Sequence, residues 1–143
     1  MNKCLPTVMT ALCLALLITG CRSSGSSSPE PVHTYPAPQW TLHPKPADSV
    51  YFYVVGSSVN QSSPADARAE AYQDALRQIS RQIVTEAGLG LAALPPGGIL
   101  LPMEGAAILP GCVYVERFGN ACNGFVQVSF PIVEKRKIIE SLR

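Results

Sequence analysis

Charge is scarce in this chain, and histidine is scarcer. Asp, Glu, Lys and Arg make up 15% of the 143 residues, against about 25% in typical globular domains. Eleven Lys plus Arg stand against ten Asp plus Glu, a net of +1. Such a balance draws in no polyanion and excludes nucleic-acid binding driven by phosphate contacts. The two histidines, His33 and His43, both fall in a proline-rich stretch. The rest of the chain therefore lacks the imidazole that Ser-His-Asp or Cys-His catalysis and the usual zinc sites require. No G-x-S-x-G accompanies Ser57 and Ser58, and no Walker lysine or G-x-G-x-x-G follows Gly56. The expectation is a protein with no enzymatic activity, no cofactor, no metal and no small-molecule substrate. Five Cys are too few to build a disulfide scaffold in a chain of this length, which fits a single domain.

What is present begins with an address. Lys3 supplies a short positive start, and Leu5 to Ile18 follows without a charge. This is the pattern of a secretory signal, too short for a membrane span of about 20 residues. It ends in Ile18-Thr19-Gly20-Cys21, which resembles the bacterial lipobox: an aliphatic residue, two small residues and a Cys. That resemblance implies S-diacylglycerol and N-acyl groups on Cys21 and removal of residues 1–20. Several acyl chains hold a protein on a bilayer, since each buried methylene contributes about 0.8 kcal/mol. Asp after the lipidated Cys would imply inner-membrane retention; Arg22 implies the periplasmic face of the outer membrane. Without Lys3, ten basic and ten acidic residues remain, so the mature chain is neutral.

Residues 21–49 read as a tether. Arg22 to Ser28 is a flexible coil by composition, and residues 29–46 hold six of the thirteen prolines, favouring extended polyproline II. Fully extended, residues 22–49 span at most about 90 Å. The sole Trp, Trp40, lies here. It either caps the domain or serves as a partner contact.

Residues 50–143 read as one α+β domain in two layers. A small, antiparallel-containing sheet carries a long helix and a short C-terminal helix in the order β-α-β-β-α. Val50 to Val55 is a strand, apolar on both faces and so expected to be central or covered on both sides, with Gly56-Ser57-Ser58 breaking it. Ser63 as N-cap, Pro64 at the first position and Gly88 as stop frame a helix over 64–87. Its expected apolar stripe is Ala65, Ala69, Tyr72, Leu76, Ile79 and Ile83, with Asp74 pairing with Arg77. The carboxylates Asp66, Glu70 and Asp74 line one solvated row.

Residues 88–112 carry one charge, Glu104, among many Leu, Pro and Gly. A turn or short strand is expected within 99–101. The segment either packs on the domain or presents Leu100 and Leu101 as a membrane or partner surface. Val113–Phe118 and Phe125–Phe130 read as strands joined by a loop over 119–124, and a helix follows over 132–142 with Lys135-Arg136-Lys137 as a solvated face. Pairing 118 with 124 sets Cys112 and Cys122 about 20 Å apart, beyond disulfide reach.

Several of these residues also carry a family resemblance. Pro38-Gln39-Trp40, Tyr51-Phe-Tyr-Val-Val-Gly56, Ala67-Arg68 with Ala71, Asp74-Ala75 and Ile79, and Phe125-Val-Gln-Val-Ser-Phe-Pro131 are together similar to the LPP-20 lipoprotein family. The resemblance spans roughly 38–142. It implies a small α+β domain on an outer-membrane lipoprotein, with no catalytic residues. A similar domain stands at the N-terminus of a flagellar outer-membrane ring protein, which implies structural or assembly roles. The expected partners are the membrane, through the lipid, and an envelope protein or a second copy of this chain. The alternative role is an accessory activator of an envelope (cell-wall) enzyme.

Overall fold

A computed structural model describes residues 36–143. Three strands and two helices follow one another as β1 (Tyr51–Gln61), α1 (Pro64–Glu86), β2 (Ala107–Phe118), β3 (Ala121–Pro131) and α2 (Ile132–Leu142). The sheet is antiparallel in the order β1-β3-β2, giving the α+β class and the element order read from the sequence.

β1 does not stop at Val55. It runs through Gly56 to Gln61, because Gly56 is a contact and not a break. A Cβ placed there would lie 2.0 Å from the Ala71 carbonyl oxygen and 2.6 Å from the Ala75 nitrogen. Gly124 on β3 is the same device, with the Ala67 carbonyl oxygen 2.4 Å from a would-be Cβ. Helix α1 thus rests its backbone almost on the sheet, and its buried row is Ala67, Ala71 and Ala75, joined by Leu76, Ile79 and Ile83. The expected stripe is corrected at its N-terminal end: Ala65 and Ala69 face outward. At that end closeness of approach selects the face, and only Ala and Gly permit it.

Ser63 caps α1 as expected, accepting from the Asp66 amide at 3.1 Å, and Pro64 occupies the first turn. Phe52, Val126, Val128 and Phe130 supply the sheet side of the core, and Ile139 of α2 closes one end. Fully burying each such side chain contributes about 1.5–3 kcal/mol.

β1 is an edge strand, not a central one, and its outward backbone is capped by side chains. Gln78 donates to the Val55 carbonyl at 3.0 Å, and the Ser57 amide donates to Asp74 at 3.0 Å. Asp48 accepts from the Val50 and Tyr51 amides at 2.8 Å each. Such caps block pairing with another chain along an edge. Asp74 is therefore committed to the sheet, and Arg77 pairs instead with Glu70 at 2.6 Å.

The hairpin is tighter than expected. Phe118 pairs with Ala121, so Gly119-Asn120 is a two-residue loop, with Gly119 at φ +58 as the II′ pattern needs at its first central position. β2 also starts earlier, at Ala107, and bulges between Ile108 and Val113 around Pro110 and Gly111. Under this register Cys122 lies opposite Arg117 and Cys112 falls in the bulge; both are free thiols. The C-terminal helix spans the expected residues. Its Lys135 is not solvated, however. The ammonium bonds Glu86 at 2.6 Å and sits 4.6 Å over the Phe52 ring.

Candidate functional site

The expected site residues fall into three places. Ile18, Thr19, Gly20 and Cys21 lie outside the described residues. Trp40 is half-buried in a short 3₁₀ turn, Gln39–Thr41, that packs against β3. Leu100 and Leu101 follow α1 in the chain and lie alongside it, with the Leu100 amide on Ser80. Trp40 and the leucine pair do not come together.

The 3₁₀ turn belongs to the face of the sheet that α1 leaves uncovered. Residues alternate across a strand, so Tyr53 and Val55 of β1 and Phe125 of β3 point away from the helix. Thr41, Leu42 and Pro44 meet them around a shallow groove of ≈ 370 Å³. Residues 36–49 thus fold onto the domain. Thr41 is buried and donates its hydroxyl to the Pro38 carbonyl at 2.8 Å.

A polar clasp fixes this segment to β1. The Tyr53 hydroxyl donates to Asp48 at 2.6 Å, Lys45 donates to the Tyr53 oxygen at 2.8 Å, and the Lys45 ammonium lies 4.4 Å over the Tyr53 ring. The Tyr53 hydroxyl, then the Tyr51 and Val50 amides, hold the Asp48 carboxyl well below the usual carboxylate range, with Lys45 adding less. A depressed folded value means the clasp is complete above the ordinary Asp value of about 3.9 and is lost as pH falls through the lower folded value. Carbon NMR of the Asp48 carboxyl should therefore show a midpoint far below that of an unfolded-chain Asp. Tyr53→Phe should move it upward, since the leading cause is removed. An Asp48 midpoint near 3.9 in the intact protein would refute the clasp. Sequence reading overlooked this cluster, although Asp48 two residues ahead of a strand carried the signal of an Asx turn.

On the opposite side, two serines do structural work. The Ser58 hydroxyl, buried, donates to the Ala67 carbonyl at 2.6 Å and accepts from the Gly124 amide at 3.1 Å. The Ser80 hydroxyl, also buried, donates to the Leu76 carbonyl at 2.9 Å and accepts from the Leu100 amide at 2.9 Å. Ser80 thereby pins the 88–106 segment to α1, and Ile99, Leu100 and Met103 pack on the core from there. No strand forms at 99–101; the hydrogen-bonded turn lies just before it, over 95–98, where the Gly98 amide bonds the Pro95 carbonyl at 2.9 Å. Leu101, by contrast, is 82% exposed.

Asp66 accepts from Ser63 and, with lesser effect, from Ser62, an arrangement that keeps its carboxyl below the usual range and serves the helix end. Partial burial pushes the Cys112 thiol up, which lowers its thiolate fraction. Among the described residues, no group of His, Cys, Asp and Glu is arranged to hold a metal ion, and no helix is long and apolar enough to cross a membrane. No protein-family model, curated protein or solved structure matches the chain.

Proposed function

We propose that the chain is a lipoprotein carried on the periplasmic face of the outer membrane, where its α+β domain acts as a non-enzymatic module for envelope assembly or interaction. The observation that carries this reading is Ile18-Thr19-Gly20-Cys21 at the end of a charge-free run that begins just after Lys3. The aliphatic and small residues suit a peptidase cleft, and the Cys21 thiol is the acceptor for diacylglycerol. After cleavage, the freed Cys21 amine takes the further acyl chain. The LPP-20 resemblance over 38–142 supports the same placement. The clasp and the Trp40 turn are in keeping with it: residues 36–49 lie on the sheet, so the expected tether is shorter than residues 21–49.

The test is a pair of strains carrying the full chain with Cys21 or with Cys21→Ser. The native chain should take up labelled fatty acid and fractionate with outer membrane, and the variant should do neither. A Cys21→Ser protein still found in the outer membrane overturns the anchor. Crosslinking in cells addresses the role of the domain. Recovery of one cell-wall enzyme in stoichiometric amount would replace the assembly reading with that of an activator subunit.

A further inference from the structure

From Ala87 to Met103 the chain has no charged side chain, and no polar one either: the residues are Ala, Gly, Leu, Pro, Ile and Met alone. The structure gives this stretch two sides. Ile99, Leu100 and Met103 pack inward, fixed by the Ser80 hydroxyl on the Leu100 amide. Leu89, Leu91 and Leu101 point out, 37%, 60% and 82% exposed. Ala93, Pro95, Pro96 and Leu101 border one groove of ≈ 430 Å³ above Ile99 and Leu100, so residues 93–96 and the tip at 101 share an apolar surface, with Leu89 and Leu91 exposed just before it in the chain. Single exposed leucines are ordinary; three on one loop without a polar side chain, beside an apolar groove, are exposure that marks an interaction.

We infer that this loop seats its leucines in the headgroup–acyl boundary of the bilayer that holds the anchor. The inference deepens the lipoprotein reading and rests on it for the membrane's proximity. The absence of polar side chains favours lipid over protein as the occupant, because a protein interface carries a polar rim and direct hydrogen bonds. The surroundings fit as well. Arg81, in the last two turns of α1, is exposed and makes no ion pair among the described residues, and Arg143 reaches the Glu86 carbonyl at 3.1 Å, which puts cations at the α1 end of the loop; Glu104, exposed at the other end, lies near Lys137. Cations at the base of an apolar loop suit the anionic headgroup level. The residues between Cys21 and Pro36 can extend about 50 Å, ample for the domain to lie against its own membrane. Insertion is shallow, since the loop's backbone polar groups need the wet interface.

The test uses the chain from residue 21 with Cys21→Ser, so that lipid on the anchor plays no part. Trp40→Phe and Leu101→Trp place the only indole at the tip. Added to vesicles of phosphatidylethanolamine and phosphatidylglycerol, the indole emission should shift blue and be quenched by brominated acyl chains. Without the Trp changes, Leu91→Ser and Leu101→Ser should each lower vesicle co-sedimentation by about tenfold. Both positions are exposed, so melting curves should match the parent. No vesicle binding by the folded parent, or binding untouched by both serine variants, overturns the inference. Binding to a purified envelope protein that the serine variants abolish, with none to vesicles, also overturns it and assigns the patch to protein. If fatty-acid labelling at Cys21 fails while the loop still partitions, the anchor falls and the loop stands.

Discussion

Gly56→Ala is expected to destabilise the domain by about 3 kcal/mol, and Gly56→Val to prevent folding. The reason is the separation of α1 from the sheet. A methyl group at Gly56 would stand 2.0 Å from the Ala71 oxygen and 2.8 Å from the Ala75 Cβ, both on a helix that is itself wedged against the core. Backbone cannot yield as a flexible side chain can, so α1 must lift, and Leu76, Ile79 and Ile83 lift with it. Domains of this size hold only about 5–15 kcal/mol in total, which makes such a loss large. Gly90→Ala is the matched control: its backbone is extended at φ −78 and a Cβ there meets nothing within 4 Å, so it should change stability by less than about 0.5 kcal/mol. Urea denaturation followed by far-ultraviolet circular dichroism measures both. Gly124→Ala should behave like Gly56→Ala, and the double variant should cost less than the two together, because one displacement of α1 relieves both clashes. An unchanged urea midpoint for Gly56→Ala would refute the close approach.

The same two glycines explain where the sequence is readable and where it is not. Caps and stops are local, so Ser63, Pro64 and Gly88 mark α1 correctly, and the α+β class follows from the alternation of periods. Gly56 reads locally as a strand breaker, yet its conformation is ordinary for a strand. What it answers is α1, at Ala71 and Ala75, fifteen and nineteen residues downstream, and no local rule sees that. The same holds for Asp74. Three residues from Arg77 it suggests a surface ion pair, but the Ser57 amide across the layer claims it. The hairpin error has a different origin. Ala121 to Gly124 contains small and polar residues that suit a loop, and only the alternation of Cys122 and Gly124 toward α1 shows them to be strand.

The candidate site divides in the same way. Under the proposed lipoprotein reading, Ile18 to Cys21 is legible because a peptidase and a transferase would read it as extended sequence, with no fold between residue and function. For Leu100 and Leu101, adjacency in sequence hides opposite fates. Ser80 draws the Leu100 amide inward, and the turn then throws Leu101 out. A buried serine in the middle of a helix gives no sign of the loop it will hold. The sequence therefore exposes the apolar character of 88–112 without showing which leucines remain on the surface.

Phe130→Ala should remove about 3–5 kcal/mol, the second large effect, and lower the melting temperature by roughly 15 °C or more. Phe130 is fully buried and meets Phe52 edge to face with ring centroids 5.7 Å apart. The Phe52 ring in turn carries the Lys135 ammonium on its face, and Lys135 bonds Glu86 at the end of α1. One ring thus supports a stack that ties β3, β1, α2 and α1 at a single corner. Truncation leaves a cavity beneath Phe52 and frees that ring to tilt, so the cost exceeds the transfer term alone. Phe52→Ala removes less buried surface but breaks the same stack. The double variant should therefore show a coupling of about 1 kcal/mol relative to the sum of the singles. Additive losses would mean that the two rings contribute independently and that the corner is held by burial alone. Lys135→Met separates the remaining contribution. It keeps a long stem over Phe52 but deletes the ammonium, and its effect should be modest because the Glu86 partner is exposed to solvent screening. A large loss from Lys135→Met with a small one from Phe130→Ala would reverse the order of forces argued for this corner.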